Sequence, residues 1–145
     1  MSLKIAIISS EFAEKSGSAL EDLRTSCSQK LQELKIDFVE FRVPGAFEIP
    51  TATKKVILSQ RFNAVITLGV VVRGETAHFD IVAGNCARKI ADLGVEFATP
   101  VIFGVLTTET TKQAEVRAKR GAEFALAAIR FTEVLCEIES AKIGA

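Results

Sequence analysis

The stretch that most limits how this chain can fold is Ala64–Val72, AVITLGVVV, followed at once by Arg73-Gly74-Glu75-Thr76-Ala77-His78-Phe79-Asp80. An unbroken apolar run rich in valine suits a strand covered on both faces, the usual condition inside a parallel sheet. Beyond it, apolar residues recur at Phe79, Val82, Cys86, Ile90, Leu93 and Phe97, steps of three and four that mark one face of a helix. The octapeptide therefore reads as a strand-to-helix turn at the carboxyl end of a buried strand. Open α/β sheets hold their ligands there.

That turn carries the means for a specific chemistry. Gly74 lets the backbone approach a ligand closely. The N–H groups around Thr76 lie at the start of the next helix, where the dipole favours an anion. His78 is the chain's only histidine, the residue type suited to moving protons near neutral pH. An anion hole beside a proton shuttle fits a phosphorylated substrate. The plainer alternative makes Thr76 a helix cap and His78 an incidental surface residue; its company at a strand end favours the first reading.

The rest of the chain repeats the pattern. Residues 3–9 (LKIAIIS) form a short buried strand, and residues 10–18 a polar loop containing Phe12. A helix follows with Leu20, Leu23, Cys27, Leu31 and Leu34 on one face. Phe12 either packs on that helix or offers a platform for a planar ring. A second strand at 36–43 stops at Pro44-Gly45, and Pro50, tolerated in a first helical turn, starts a helix running to about Ser59. Phe47 and Glu48 at its head are either an ordinary turn or a second wall of a site. The fourth strand, 100–106, leads to Thr110 and Gln113, which fit a capping box. A helical turn then reaches Arg117, Lys119 and Arg120, with Gly121 as a hinge. The last helix places Phe124, Ala128, Phe131, Leu135 and Ile138 on one face. The basic triplet either complements a helix dipole or clamps a phosphate. The order βαβαβαβα with short connections predicts one domain over 1–145, a four-stranded parallel sheet between two layers of helices.

Composition narrows the function. Lysine plus arginine equals aspartate plus glutamate at 18 each, a balance that argues against nucleic acid or an acidic membrane as partner. No apolar run reaches the length of a membrane span and no signal peptide is visible, so a cytoplasmic location is expected. Cys27, Cys86 and Cys136 lack metal-ligand spacing and leave one unpaired. Reduced, mostly buried thiols and no zinc site are the expectation. No Gly-x-Gly-x-x-Gly follows a strand, and the Gly-Ser segment after the first strand is too loose for a P-loop.

Three segments together are specific: VPGAFEIP at 43–50, the stretch from Leu68-Gly69 through Arg73-Gly74-Glu75-Thr76-Ala77-His78-Phe79-Asp80, and FGVLTT at 103–108. In this order and spacing they make the chain resemble the lumazine synthases, from about Lys4 to Leu135. The resemblance implies a flavodoxin-like three-layer α/β/α fold and a step of riboflavin biosynthesis. In that step 5-amino-6-(D-ribitylamino)uracil condenses with 3,4-dihydroxy-2-butanone 4-phosphate to 6,7-dimethyl-8-ribityllumazine, releasing phosphate and water without cofactor or metal. By resemblance Phe12 stacks on the pyrimidine, and Ala46, Phe47 and Glu48 contact the ribityl chain and ring. Val71 and Val72 offer backbone to the pyrimidine, Gly74, Glu75 and Thr76 cradle the phosphate, and His78 transfers protons. Phe103 and Arg117 come from a neighbouring subunit, Arg117 to the phosphate, with Lys119 or Arg120 as a further basic contact. The implied assembly is a homopentamer, alone or as twelve pentamers in a hollow shell.

The chain departs from the family pattern in places. Ala13 stands where Asn usually follows the first aromatic, Ala77 where Pro is common, and Arg120 where Lys is common. The connection from Arg117 to Gly121 is shorter than usual, and Arg61-Phe62-Asn63 repeats a family tripeptide in the wrong place. Two rival functions fit less well. A flavodoxin-like flavin carrier would need a phosphate loop after the first strand. A catalytically silent homologue serving as a shell or flavin-binding protein would have a damaged site, whereas His78, Arg117 and Gly74-Glu75-Thr76 are present.

Overall fold

The computed structural model describes residues 2–141; the two ends of the expected domain, residue 1 and residues 142–145, lie outside it. Four strands, β1 (Lys4–Ser10), β2 (Asp37–Val43), β3 (Ala64–Val72) and β4 (Val101–Thr108), pair in parallel in the order β2-β1-β3-β4. The helices are α1 (Ala19–Glu33), α2 (Ile49–Ser59), α3 (His78–Phe97), α4 (Thr111–Arg117) and α5 (Gly121–Ser140). Single 3-10 turns at Ala46–Glu48 and Ala118–Arg120 lead into α2 and α5. This is the flavodoxin-like α/β/α arrangement.

Alternation along the strands builds two cores. Ile5, Ile7, Ile66 and Leu68 meet Leu23 and Leu31 of α1 and Ala125 and Ala128 of α5 on one face. Ile8, Val65 and Val105 meet Ile49 of α2 and Val82 and Ile90 of α3 on the other. With both faces covered, a strand must be apolar at successive positions, which is why β3 is buried from Ala64 to Val70. The strands nearest the middle, β1 and β3, send their chains to helices on opposite faces, so a crevice opens between their carboxyl ends.

Arg24 shapes that crevice from below. It is buried in α1, and its Nε donates to Ser9 Oγ at 2.8 Å while Nη2 donates to the carbonyls of Ser10 at 2.6 Å and Glu11 at 3.2 Å. A buried guanidinium with several donors satisfied fixes the direction in which the chain leaves β1.

Four local expectations need adjustment. β4 runs two residues further than its apolar run, because Thr107 and Thr108 still find partners in Val71 and Val72 of the longer β3. The buried stripe of α5 is Gly121, Ala125, Ala128 and Thr132, while Phe131 and Ile138 are 43% and 64% exposed. Small residues win that face because α1 lies close against it. Gly121 is accordingly no hinge: it has helical φ of −51°, and a Cβ there would sit 2.7 Å from the Cys27 nitrogen and collide with the Leu23 carbonyl and the Ser26 hydroxyl. Thr76 is not the cap of α3 either; that position falls to Ala77, and Thr76 Oγ1 instead accepts a 3.3 Å bond from the His78 amide. The Thr110–Gln113 capping box forms in both directions.

Candidate active site

A cavity of about 820 Å³ occupies the crevice at the carboxyl ends of β1 and β3. One wall is the loop after β1, with Phe12, Ala13, Glu14 and Lys15. The turn after β2 supplies Pro44, Gly45, Ala46 and Glu48. The floor is the end of β3, Val70 to Val72, and the far wall is Gly74, Glu75 and Thr76 with His78, Phe79 and Val82 of α3. Apolar floor and polar rim suit a flat ring with hydrogen-bonding edges.

Each wall is held from behind. The amide of Glu11 donates to the carbonyl of Val43 at 2.6 Å and that of Phe12 to Pro44 at 3.2 Å, so the loop after β1 extends the sheet pairing beyond β2. Phe12 is then left 72% exposed with its ring over the cavity rather than on α1. Across the cavity, the Arg73 amide donates to Thr108 at 2.9 Å. The Arg73 side chain turns away from the cavity: Nε reaches Glu109 at 2.8 Å, Nη2 reaches Asp80 at 3.2 Å, and the guanidinium lies 4.4 Å from the centre of the Phe79 ring. The Asp80 hydrogen bond, foremost, raises its pKa above the usual arginine value. Arg73 thus braces the turn from outside the cavity. The first amides of α3 lack acceptors within the helix, that of His78 being taken by Thr76 Oγ1, and His78 and Phe79 of this first turn line the cavity.

The structure brings Phe12, Ala46, Glu48, Val71, Val72, Gly74, Glu75, Thr76 and His78 around one space. Phe47 points elsewhere. It is 57% exposed and lines an adjoining groove of about 590 Å³ between α2 and α3. It also shares a shallower depression of about 480 Å³ with His78 and Ile81. Phe103, Arg117, Lys119 and Arg120 do not line the cavity of their own chain. Phe103 lies on edge strand β4 opposite Thr67, 36% exposed. Arg117 ends α4, its Nη1 donating to the Gln113 carbonyl at 3.3 Å, and Arg120 pairs with Glu123 at 3.8 Å. Glu14 and Lys15 join the lining without any motif to announce them; the one signal was a charged pair two and three residues beyond an exposed aromatic.

The family described as 6,7-dimethyl-8-ribityllumazine synthase matches residues 2–135 of this chain. The chain belongs to that family. A curated 6,7-dimethyl-8-ribityllumazine synthase of Chlorobaculum tepidum is 40% identical over 137 residues, covering 91% of this chain and 88% of its own. Another of that name, from Chlorobium phaeobacteroides, is 36% identical over 141 residues, covering 94% and 91%. The family match, residues 2–135, includes every residue that lines the cavity.

Proposed function

We propose that the cavity carries out the lumazine synthase step of riboflavin biosynthesis. It condenses 5-amino-6-(D-ribitylamino)uracil with 3,4-dihydroxy-2-butanone 4-phosphate to 6,7-dimethyl-8-ribityllumazine, with loss of phosphate and water. The observation that carries this reading is the placement of His78 one turn of chain beyond Gly74-Glu75-Thr76, in one cavity with exposed Phe12 on the opposite wall. Phe12 and the apolar end of β3 hold the pyrimidine flat, with Val71 and Val72 offering main-chain groups to its edge. Ala46 and Glu48 receive the ribityl hydroxyls, and Phe47 closes that side from the adjoining groove.

The chemistry follows from that seating. Holding the amine against the ketone makes imine formation effectively unimolecular. A proton must then leave carbon as the phosphate departs with its electron pair, and a second amine–carbonyl closure completes the ring. His78, at the helix start beside the anion loop, takes and returns those protons. The amides at Gly74, Glu75 and Thr76 hold the phosphate oxygens, where the dipole of α3 lowers the energy of the charge that develops as it leaves.

The site is completed by a neighbouring subunit of a homopentamer, whether isolated or one of twelve in a shell. That subunit supplies Phe103 beside the pyrimidine and Arg117, with Lys119 or Arg120, toward the phosphate. Their absence from their own chain's cavity supports this, as does the apolar surface of Phe47 and Ile81 beside its mouth. A cytoplasmic setting suits three free cysteines, and no described helix is long and apolar enough to cross a membrane.

The test is turnover: both substrates are supplied, and fluorescent lumazine and free phosphate are followed. His78→Ala should slow turnover about a hundredfold while inorganic phosphate still inhibits, because the histidine adjoins the anion loop without forming it. Unchanged turnover in that variant would remove His78 from the mechanism; absence of lumazine from the unaltered protein would leave a silent shell or flavin-binding homologue.

A further inference from the structure

We infer that Lys15 is a specificity-determining residue for the phosphorylated substrate, a cation supplied to the anion loop by the same subunit. The inference rests on the proposed phosphate site and adds a residue to it.

Among the described residues Lys15 is the one lysine or arginine that lines the cavity. Its Nζ reaches the anion loop from across the space: it lies 3.9 Å from the position a Cβ on Gly74 would occupy. No described carboxylate comes within ion-pair distance of it, although Glu14, Glu48 and Glu75 all line the same cavity. Three carboxylates repel an entering phosphate dianion, and the arginine of the turn, Arg73, is engaged by Asp80 and Glu109 outside. A free ammonium at Gly74 offsets that repulsion where the phosphate sits.

The backbone under Lys15 is built to keep it there. Lys15 is left-handed with φ of +56°, a conformation costly for a residue with a Cβ, and its carbonyl accepts a 2.6 Å bond from Thr111 Oγ1. Three residues on, Ser18 donates to Glu115 through both its amide and its hydroxyl, at 3.2 and 3.1 Å. Helix α4 therefore holds the loop from behind and sends the lysine over the cavity. Gly74 has no side chain on the side that the ammonium approaches.

The experiment compares Lys15→Met, which keeps an apolar stem, with Lys15→Arg and the unaltered protein. Each is assayed for the KM of the phosphorylated ketone, for inhibition by inorganic phosphate, and for affinity of the ribitylaminouracil measured separately. Lys15→Met should raise that KM and the phosphate inhibition constant about tenfold, the loss of one charge-assisted contact. Pyrimidine affinity should stay within about twofold, and Lys15→Arg should recover most of the loss. If phosphate competes with the ketone in the unaltered protein but Lys15→Met leaves both constants in place, Lys15 has no such role and the phosphate site stands. A general loss of turnover and of pyrimidine affinity, not restored by arginine, would make Lys15 a loop residue and overturn the proposal. If phosphate does not compete in the unaltered protein, the site assignment fails and Lys15 falls with it.

Discussion

Replacing Gly121 by alanine should destabilise the protein even though alanine is the better helix former. Gly121 opens α5 with φ of −51°, so alanine fits the backbone and on propensity alone would gain at most about 1 kcal/mol. The new methyl, however, would meet α1: it would lie 2.7 Å from the Cys27 nitrogen and closer still to the Leu23 carbonyl and the Ser26 hydroxyl. Two of those three atoms belong to the main chain of a helix, so they cannot swing aside and α5 must lift off α1. Overpacking of this kind costs roughly 1–3 kcal/mol, and main-chain contacts put this case at the upper end. The net loss should be about 2 kcal/mol, which for a chain of this length lowers Tm by roughly 6 °C. Gly84 in α3 is the control, because a Cβ there meets no atom within 4 Å. Gly84→Ala should be neutral or gain up to about 1 kcal/mol. Both variants are unfolded by heat and by urea at matched protein concentration, since assembly couples stability to concentration. Gly121→Ala as stable as the unaltered protein, or more so, would refute the claim that backbone contact with α1 requires glycine there.

Three further predictions concern the frame and the site. Arg24→Met keeps the volume of the stem but leaves the Ser10 and Glu11 carbonyls without their buried donor; it should cost about 3 kcal/mol in urea unfolding, and a loss under about 1 kcal/mol would mean water replaces the guanidinium freely. Burial pushes the Cys27 thiol up to about 12, with the Glu40 charge adding to it, and the Cys86 thiol up to about 11. Above about pH 9 the unfolded chain releases these protons while the folded chain keeps them, so stability falls as pH rises; Cys27→Ala should make that fall shallower by about 1.4 kcal/mol per pH unit around pH 10, and an identical slope would contradict the burial argument. If the site is shared between subunits, co-expressed His78→Ala and Arg117→Ala chains should rebuild about a quarter of the interfaces of a randomly mixed ring and a similar share of turnover. Mixed rings, verified by mass, that do no better than either parent would put both residues in one subunit's pocket.

Local chemistry made much of this protein legible in its sequence. Valine-rich runs, spacings of three and four, Pro50 at a helix start and the Thr110–Gln113 box each act over a few residues, so the strands, most helix starts and the turn holding His78 could be read directly. Phe12, Gly74, Thr76 and His78 were legible because each lies just beyond a strand end, where sheet topology puts ligands. The choice of buried face on α5 was not, because it turns on how closely α1 approaches. Phe131 and Ile138 are as apolar as any core residue, but only Gly121, Ala125 and Ala128 are small enough for that contact. Nor did spacing reveal which charges face the cavity. Arg73 sits in the conspicuous turn yet is drawn out by Asp80 and Glu109, while Lys15, in the loop after β1, is carried over Gly74 by its own left-handed backbone, which Thr111 of α4 holds. Hydrophobic period is a property of neighbours along the chain; Glu109, 36 residues from Arg73, and Thr111, 96 residues from the Lys15 carbonyl it holds, reach their partners only after the sheet has formed.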